Sequence, residues 1–472
     1  MTPYTSLGAA SGAAIALLAP LASAGFVLDG KTDEWSADVL VAVDDEHLYL
    51  RVPFENVRAI YDEAQPTRVA LDLDMDSSTG RQGGVIGVEL QLSFTIAEGR
   101  WGPGRSLVIT AYDEDGDDTE LEAEVTRPLV APTHASDAYE VRIARSAHPL
   151  LEDAGWGRAL ISLPPSGRGD EGKVMLESFE RPAMVPGGMV DTEVPAKEED
   201  SVRLIAHNVL WSNPEETAAP FSRMYQALDA DIYLIQEWGR DDWSEQYERD
   251  LEAWFAAHVD PEATWTAVRS EAQGVAVVTP HPVRAVGPRD IRTTSLTRWD
   301  FPVRLVSAVV ETPHGPFVVG SIHLKCCGML GTPEDQRRFD EARAIKAEMG
   351  ALAAAAGPNA VVVLGGDYNH NGHPLVAETA IDGLDADGSP LTLAETLVLG
   401  ENAVYTWGGP TRGYRRSLLD FIAYADSMAD VTAAFVLDTT ILSSRSLAEM
   451  GLEPTDTDAS DHLPVVVDLD PR

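Results

Sequence analysis

Five apolar runs of this sequence adjoin polar residues of one chemical kind. Val202–Ala206 (VRLIA) leads into His207-Asn208, and Asp231–Gln236 (DIYLIQ) into Glu237. Phe317–Ile322 (FVVGSI) leads into His323, and Ala360–Leu364 (AVVVL) into Gly365-Gly366-Asp367-Tyr368-Asn369. Ser460-Asp461-His462 instead precedes Leu463–Leu469 (LPVVVDL). Gathered together, these side chains suit metal-assisted phosphoester hydrolysis. Carboxylates with water hold a hard cation that neutralises charge on phosphate oxygens. Neutral Asn and His donors meet a dianionic transition state without repelling it. A carboxylate can position the attacking water, and a histidine needs a carboxylate to fix its tautomer. Taken singly, each residue also has a plain structural reading. Glu237 suits a surface, His323 a core, Gly365-Gly366-Asp367 a turn capped by Asn369, and His207 a structural role.

A mixed sheet would bring these residues to one edge. The C-ends of some strands meet there the N-ends of antiparallel neighbours. From Ser201 onward, apolar strand-like runs alternate with helical segments such as Phe221–Leu228 and Pro333–Met349. Ala351–Ala356 extends the second helix until Gly357-Pro358 stops it. This texture predicts an α/β (α+β) class for residues 201–472. Residues 25–185 read as strands instead. Val39–Val43 and His47–Val52 flank the acidic turn Asp44-Asp45-Glu46, which predicts a hairpin. Arg68–Leu73, Val85–Phe94 and Tyr139–Ile143 have strand patterning, and no long amphipathic helix is apparent. An all-β sandwich follows. Residues 186–200, rich in Pro, Gly and charge, have a linker's composition.

The length of 472 residues suits about two or three domains, and a 44% hydrophobic share excludes disorder throughout. Thirty-five Lys and Arg against 76 Asp and Glu give a net charge of −41. Such a field repels polyanions, so a broad basic nucleic-acid face is excluded, though a local basic patch is not. The only cysteines, Cys326 and Cys327, are adjacent, which excludes a disulfide framework. They read more simply as small loop residues than as a vicinal disulfide or redox switch. Residues 13–22 form a short apolar run ending in Ala22-Ser23-Ala24, a small-x-small cleavage pattern. The run lacks a basic flank and is too short to span a bilayer. Residues 1–24 are therefore expected to be a signal peptide cut after Ala24, giving a secreted or periplasmic protein without an integral membrane segment.

In residues 201–472 the motifs stand in a recognisable order: His207-Asn208-Val209, Ile235-Gln236-Glu237, Gln273–Val277, Ser321–Leu324, Gly366-Asp367-Tyr368-Asn369, Leu418–Phe421 and Ser460–Pro464. This set resembles the endonuclease/exonuclease/phosphatase family of metal-dependent phosphoesterases. The resemblance implies a four-layer sandwich with two mixed β-sheets. It implies Mg²⁺, with Mn²⁺ or Ca²⁺ as substitutes, held by Glu237 with Asn208 and Asp461 near it. Asp367 would activate the water, supported by Asn369. His323 and His462 would donate to the phosphate, and Asp420 would orient His462.

Two positions depart from individual subfamilies. Leu210 stands where some nucleases carry an acid, and His370-Asn371-Gly372 replaces the Tyr-Arg usual in inositol phosphatases. His370 and His373 read as loop histidines before ligands. Lys325, Arg337, Arg338, Arg412, Arg415 and Arg416 could form a positive mouth, with Trp407 or Tyr414 stacking a base. Ordinary surface ion pairing explains the same cations equally well. The expectation is a nuclease acting on nucleic acid. A sphingomyelinase-like phospholipase C, a phosphomonoesterase and a catalytically silent binding protein are the alternatives. Residues 25–185 resemble family 9 carbohydrate-binding-like sandwich domains through Asp29-Gly30, Glu34-Trp35, Asp44–Val52, Asp72–Asp76 and Thr79-Gly80. That resemblance implies a polysaccharide partner, with Trp35 and Trp101 as candidate sugar platforms, though for Trp35 core burial is the favoured reading.

Overall fold

The computed structural model describes residues 26–472 except 62–64, 83–84, 100–101, 166–171, 186, 212, 240–243, 272–273, 295–299 and 409–415. The expected signal peptide lies outside the described residues, as do Trp101, Gln273, Arg412, Tyr414 and Arg415.

The first half is built from two antiparallel sheets. Val41–Val43 pairs with His47–Arg58, which pairs with Ser136–Ala144 and then Leu129–Ala131. The facing sheet has six strands, running Lys173–Arg181, Gly155–Leu163, Thr67–Asp72, Leu90–Gly99, Gly102–Tyr112 and Asp118–Glu120. Alternate residues of both sheets point inward, so Leu48, Leu50, Val69, Leu71, Leu92, Val141 and Ile161 share one core. The all-β reading stands. Trp35 is no sugar platform: it is only 6% exposed, and its Nε1 donates to Glu140 Oε1 at 2.7 Å.

The second half has two mixed sheets. One has seven strands, in the order Thr266–Arg269, Ala276–Thr279, Ile232–Gln236, Val202–Asn208, Val465–Pro471, Ala429–Val436 and Leu397–Val398. The other has six, in the order Val283–Val286, Leu305–Thr312, Gly315–His323, Val361–Asp367, Asp420–Tyr424 and Thr392–Leu393. Leu204, Ala206, Ile232 and Leu234 meet Val306, Val319, Val363 and Ile422 between the sheets. Ile205, Tyr233 and Ile235, one residue out of phase, face the helices Ala218–Leu228 and Glu245–His258. Val318, Ile322, Val362 and Leu364 face the helix Pro333–Ala356. The result is four layers, helix–sheet–sheet–helix. Because both strand faces are covered, these strands read as unbroken apolar runs.

The halves are closely joined. Leu28 bonds Asn402 O and Val404 N at 2.9 and 3.0 Å, adding a bridge beside the edge of the seven-stranded sheet. Leu418 N donates to Thr133 Oγ1 at 2.8 Å, and Ala135 N to Gly372 O at 2.9 Å. The segment after residue 186 also packs down. Val190 exchanges backbone bonds with Ile441 and Ser443 at 2.9 and 2.8 Å.

Candidate active site

Strand register assembles the polar cluster. In the six-stranded sheet His323 is paired with Asp367 in parallel register, and Asp367 with Asp420 in antiparallel register. In the seven-stranded sheet Asn208 ends its strand opposite Gln236, so Glu237 follows at the same edge. The two sheets meet through Asn208. Its Nδ2 lies 3.1 Å from Glu237 Oε1 and 3.2 Å from Asp367 Oδ2. Asn369 N and Nδ2 donate to Asp367 Oδ1 and Oδ2 at 2.8 and 3.0 Å. Glu237 and Asn369 hold positive φ, +62° and +44°. Left-handed backbone costs a non-glycine residue on the order of 1–3 kcal/mol and clusters at functional sites.

His462 enters from just before the last strand. Its Nδ1 pairs with Asp420 Oδ2 at 2.8 Å, and its Nε2 lies 3.8 Å from Asp367 Oδ2. Ser460 Oγ accepts from His462 N at 3.1 Å and donates to Asn208 O at 2.7 Å. His207 takes the structural role expected of it. It is buried between Tyr225 Oη (3.1 Å) and His462 O (3.3 Å), and burial pushes its pKa down to about 3. On the other side, His323 Nε2 stands 3.4 Å from Asp367 Oδ2 and 3.7 Å from Glu237 Oε1.

Burial raises the pKa of Glu237, and it raises Asp367 to about 7 although His462 opposes it. Burial works against a charged His462, but Asp420 and Asp367 outweigh it and lift the ring to about 10. His323 goes the other way: burial and the Arg304 cation hold it well below the usual imidazole range. Among the described residues, Glu237 Oε2, Asp461 Oδ1 and Asp420 Oδ1 are buried with no hydrogen-bond donor. Anionic oxygens orphaned in this way demand a cation, since each otherwise carries its full desolvation penalty. Asp367, Asp420 and His462 also offer ligand atoms within 4.8 Å of one another. The carboxylate oxygens among these are hard donors that fit a divalent cation such as Mg²⁺.

Comparison with known proteins agrees with this geometry. The model of the Endonuclease/Exonuclease/phosphatase family matches residues 205–462, more than half of the chain. The chain belongs to that family. It is thus a hydrolytic phosphoesterase of a family that uses divalent metals. Similar solved structures include the human Nocturnin catalytic domain with bound sulfate, 17% identical over 59% of this chain and 97% of that one, TM-score 0.37. Beta toxin from Staphylococcus aureus is 15% identical over 56% and 99%, TM-score 0.38. Sphingomyelinase C from Streptomyces griseocarneus is 15% identical over 57% and 99%, TM-score 0.37. No curated protein sequence matches the chain.

Around this Endonuclease/Exonuclease/phosphatase centre, the described members of the expected positive mouth turn to protein partners. Arg416 packs over Tyr405 at 4.3 Å and pairs with Asp438 at 3.5 Å, so it braces the interior rather than facing substrate. Arg338 is fully buried and donates to the backbone carbonyls of Lys325 and Cys327 at 2.9 and 2.6 Å. Arg337 pairs with Glu341 at 2.8 Å and covers Phe301 at 4.0 Å. Lys325 Nζ turns to its neighbour, 3.2 Å from Cys326 Sγ. Trp407 is half-buried beside His462, its Nε1 donating to Asp461 Oδ2 at 3.2 Å. His370 stacks edgewise on His134 at 4.5 Å, where the two halves meet.

Two contributors were missed from sequence. Arg304 Nη1 lies 3.1 and 3.2 Å from the two His323 ring nitrogens. Its signal was readable: an arginine inside the apolar run Phe301–Val306 must find acceptors in the interior. Thr406 Oγ1 donates to Asp420 Oδ2 at 2.7 Å and accepts from Leu419 N and Asp420 N, each at 3.0 Å. Nothing in its local sequence, Tyr405-Thr406-Trp407, marks it.

Proposed function

We propose that the chain is an exported, Mg²⁺-dependent phosphodiesterase that cleaves nucleic acid. The observation that carries the reading is the group of buried carboxylate oxygens on Glu237, Asp461 and Asp420 that find no donor among the described residues. Glu237, with Asn208 and Asp461, holds the cation. When bound, Mg²⁺ neutralises charge growing on the phosphate oxygens. Asp367, oriented by two Asn369 donors, accepts the proton of the attacking water. His462 is held protonated by Asp420, so it donates to the phosphate as an electrostatic stabiliser rather than acting as base. His323 is held neutral and offers a single N–H beside it. Trp407, bridged to His462 through the backbone and half-buried with its Nε1 on Asp461, offers a ring on which a base can stack.

Trp211 favours a second reading. It is 68% exposed, immediately follows Leu210, whose amide donates to Asn208 Oδ1, and it could seat on a lipid surface. A chain of net charge −41 would approach a zwitterionic headgroup more readily than a polyanion. Plasmid DNA, single-stranded RNA, sphingomyelin vesicles and bis-p-nitrophenyl phosphate, assayed side by side with Mg²⁺, separate the two. Nucleic-acid cleavage absent from Asp367→Ala supports the first reading, and choline phosphate release alone replaces it with the second. Activity that persists in EDTA, or in Asp367→Ala, contradicts both. The export proposal is checked by the secreted protein's N-terminus, expected at Gly25.

A further inference from the structure

We propose that Cys326 and Cys327 form a modification site, a vicinal dithiol that low-molecular-weight disulfides oxidise reversibly to a ring beside the catalytic edge. The two sulfurs stand 3.0 Å apart, the Cys327 thiol donating to Cys326 Sγ. Lys325 Nζ donates to the same sulfur at 3.2 Å. One sulfur receiving a thiol proton and an ammonium proton is the arrangement of a thiolate, the reactive form. The electrostatics agree. The Cys327 hydrogen bond first, then Lys325, bring Cys326 down to about 5 against its burial, while Cys327 is pushed far up. Cys326 is therefore the nucleophile. Cys327, exposed at the surface, is the protonated resolving partner.

The turn that brings the sulfurs together is braced. Cys327 sits at φ +66°, a left-handed conformation uncommon outside glycine. The buried guanidinium of Arg338 fixes it by donating to Cys327 O and Lys325 O. Lys325 N donates to Glu341 Oε2 at 2.8 Å. This loop continues directly into the site, because Asn369 Nδ2 donates to Leu324 O at 3.1 Å and Leu324 N to Asp367 O at 2.8 Å.

The chemistry balances without a further oxidant. The Cys326 thiolate attacks a sulfur of RSSR, forming a mixed disulfide and expelling RS⁻. Cys327 then gives up its proton and attacks the Cys326 sulfur, closing the ring and expelling a second RS⁻. Two protein thiols are oxidised, and one disulfide is reduced to two thiols. Adjacent Cα atoms lie about 3.8 Å apart, shorter than the usual range of about 4.4–6.8 Å for a disulfide. The ring is strained, and strained disulfides are the easily reduced, labile ones. Its closure also removes the anionic sulfur that holds Lys325.

The test uses the full chain and oxidised glutathione, read by intact mass and free-thiol titration with circular dichroism as a folding control. Both thiols should disappear together, with a loss of two hydrogens and no retained glutathione, and dithiothreitol should restore them. Cys327→Ser should stop at a stable glutathione adduct. Cys326→Ser should react about tenfold more slowly or less, since its remaining thiol is not activated. Wild-type protein that keeps an adduct, or keeps both thiols, overturns the proposal. So does Cys326→Ser reacting as fast as wild type.

Discussion

His462 and His323 face the same carboxylate, yet their neighbours set them in opposite protonation states. Asp420 holds a proton on His462, whereas Arg304, which can only donate, keeps one from His323. Asp420→Asn should lower kcat on bis-p-nitrophenyl phosphate by about 10²–10³. It should also move the alkaline limb of the pH–rate profile to lower pH, because His462 loses the anion that retains its proton. An unchanged limb would remove His462 from the donor role. Glu237→Gln keeps the shape and the hydrogen bonds but removes the charge. Its half-saturation for Mg²⁺ should rise about tenfold or more, read from metal titrations of activity. Arg304→Met takes the donor from the His323 ring and leaves Leu324 O with Asn369 Nδ2 in place of two donors, so it should lower stability by about 1–3 kcal/mol in denaturant titration. The polar side chains that the strands gather at this edge were legible because their types are rare at strand ends in such combination. Arg304 and Thr406 were not singled out, because their importance lies in partners distant in sequence.

Strands and helices explain why so much of the architecture could be read in advance. The runs Val202–Ala206 and Ala360–Leu364 are buried on both faces, so their pattern survives without knowledge of the partner. The helix Pro333–Ala356 announces both ends: Thr332 Oγ1 caps its start, and Gly357 at φ +102° ends it. Of the two readings of the basic residues, ion pairing is the one the described members take, because a cationic side chain in sequence does not declare whether it meets solvent or a buried carbonyl. Arg338 and Arg416 found interior partners. One glycine sets the spacing of the site. Gly366, at φ +136°, lies beside Asp367, and a Cβ there would fall 2.2 Å from Ile322 O and 2.9 Å from Gln236 Nε2. Gly366→Ala must therefore separate the strand from its parallel neighbour. A loss of about 2–4 kcal/mol in thermal or denaturant unfolding is expected, with His323 and Asp367 moved out of register.

Over the whole molecule the two halves share charges as well as backbone bonds. Arg142, from the sandwich, pairs with Glu401 of the second half at 3.3 Å. His47 lies in the same region, with Asp44, Glu401, Arg142 and Arg127 around it. Burial first, then Arg142, bring it from 6.5 down to about 4. An unfolded chain takes up this proton near pH 6.5 while the folded one refuses it. Stability is thus intact above 6.5 and falls by about 3 kcal/mol as pH drops toward 4. His47→Gln should flatten that part of the stability–pH curve, measured against wild type in urea titrations.

The place of the last strand sets a timetable for the molecule. Val465–Pro471 lies between Val202–Asn208 and Ala429–Val436, and His462 stands immediately before it. During synthesis, therefore, the sandwich can fold while the catalytic sheet still lacks its inner member. A chain halted before that strand leaves Val202–Asn208 with an open edge and Asp420 without its histidine. Hydrolytic power thus waits on Val465–Pro471, because the carboxylates of the earlier strands meet His462 in place only when this strand is seated.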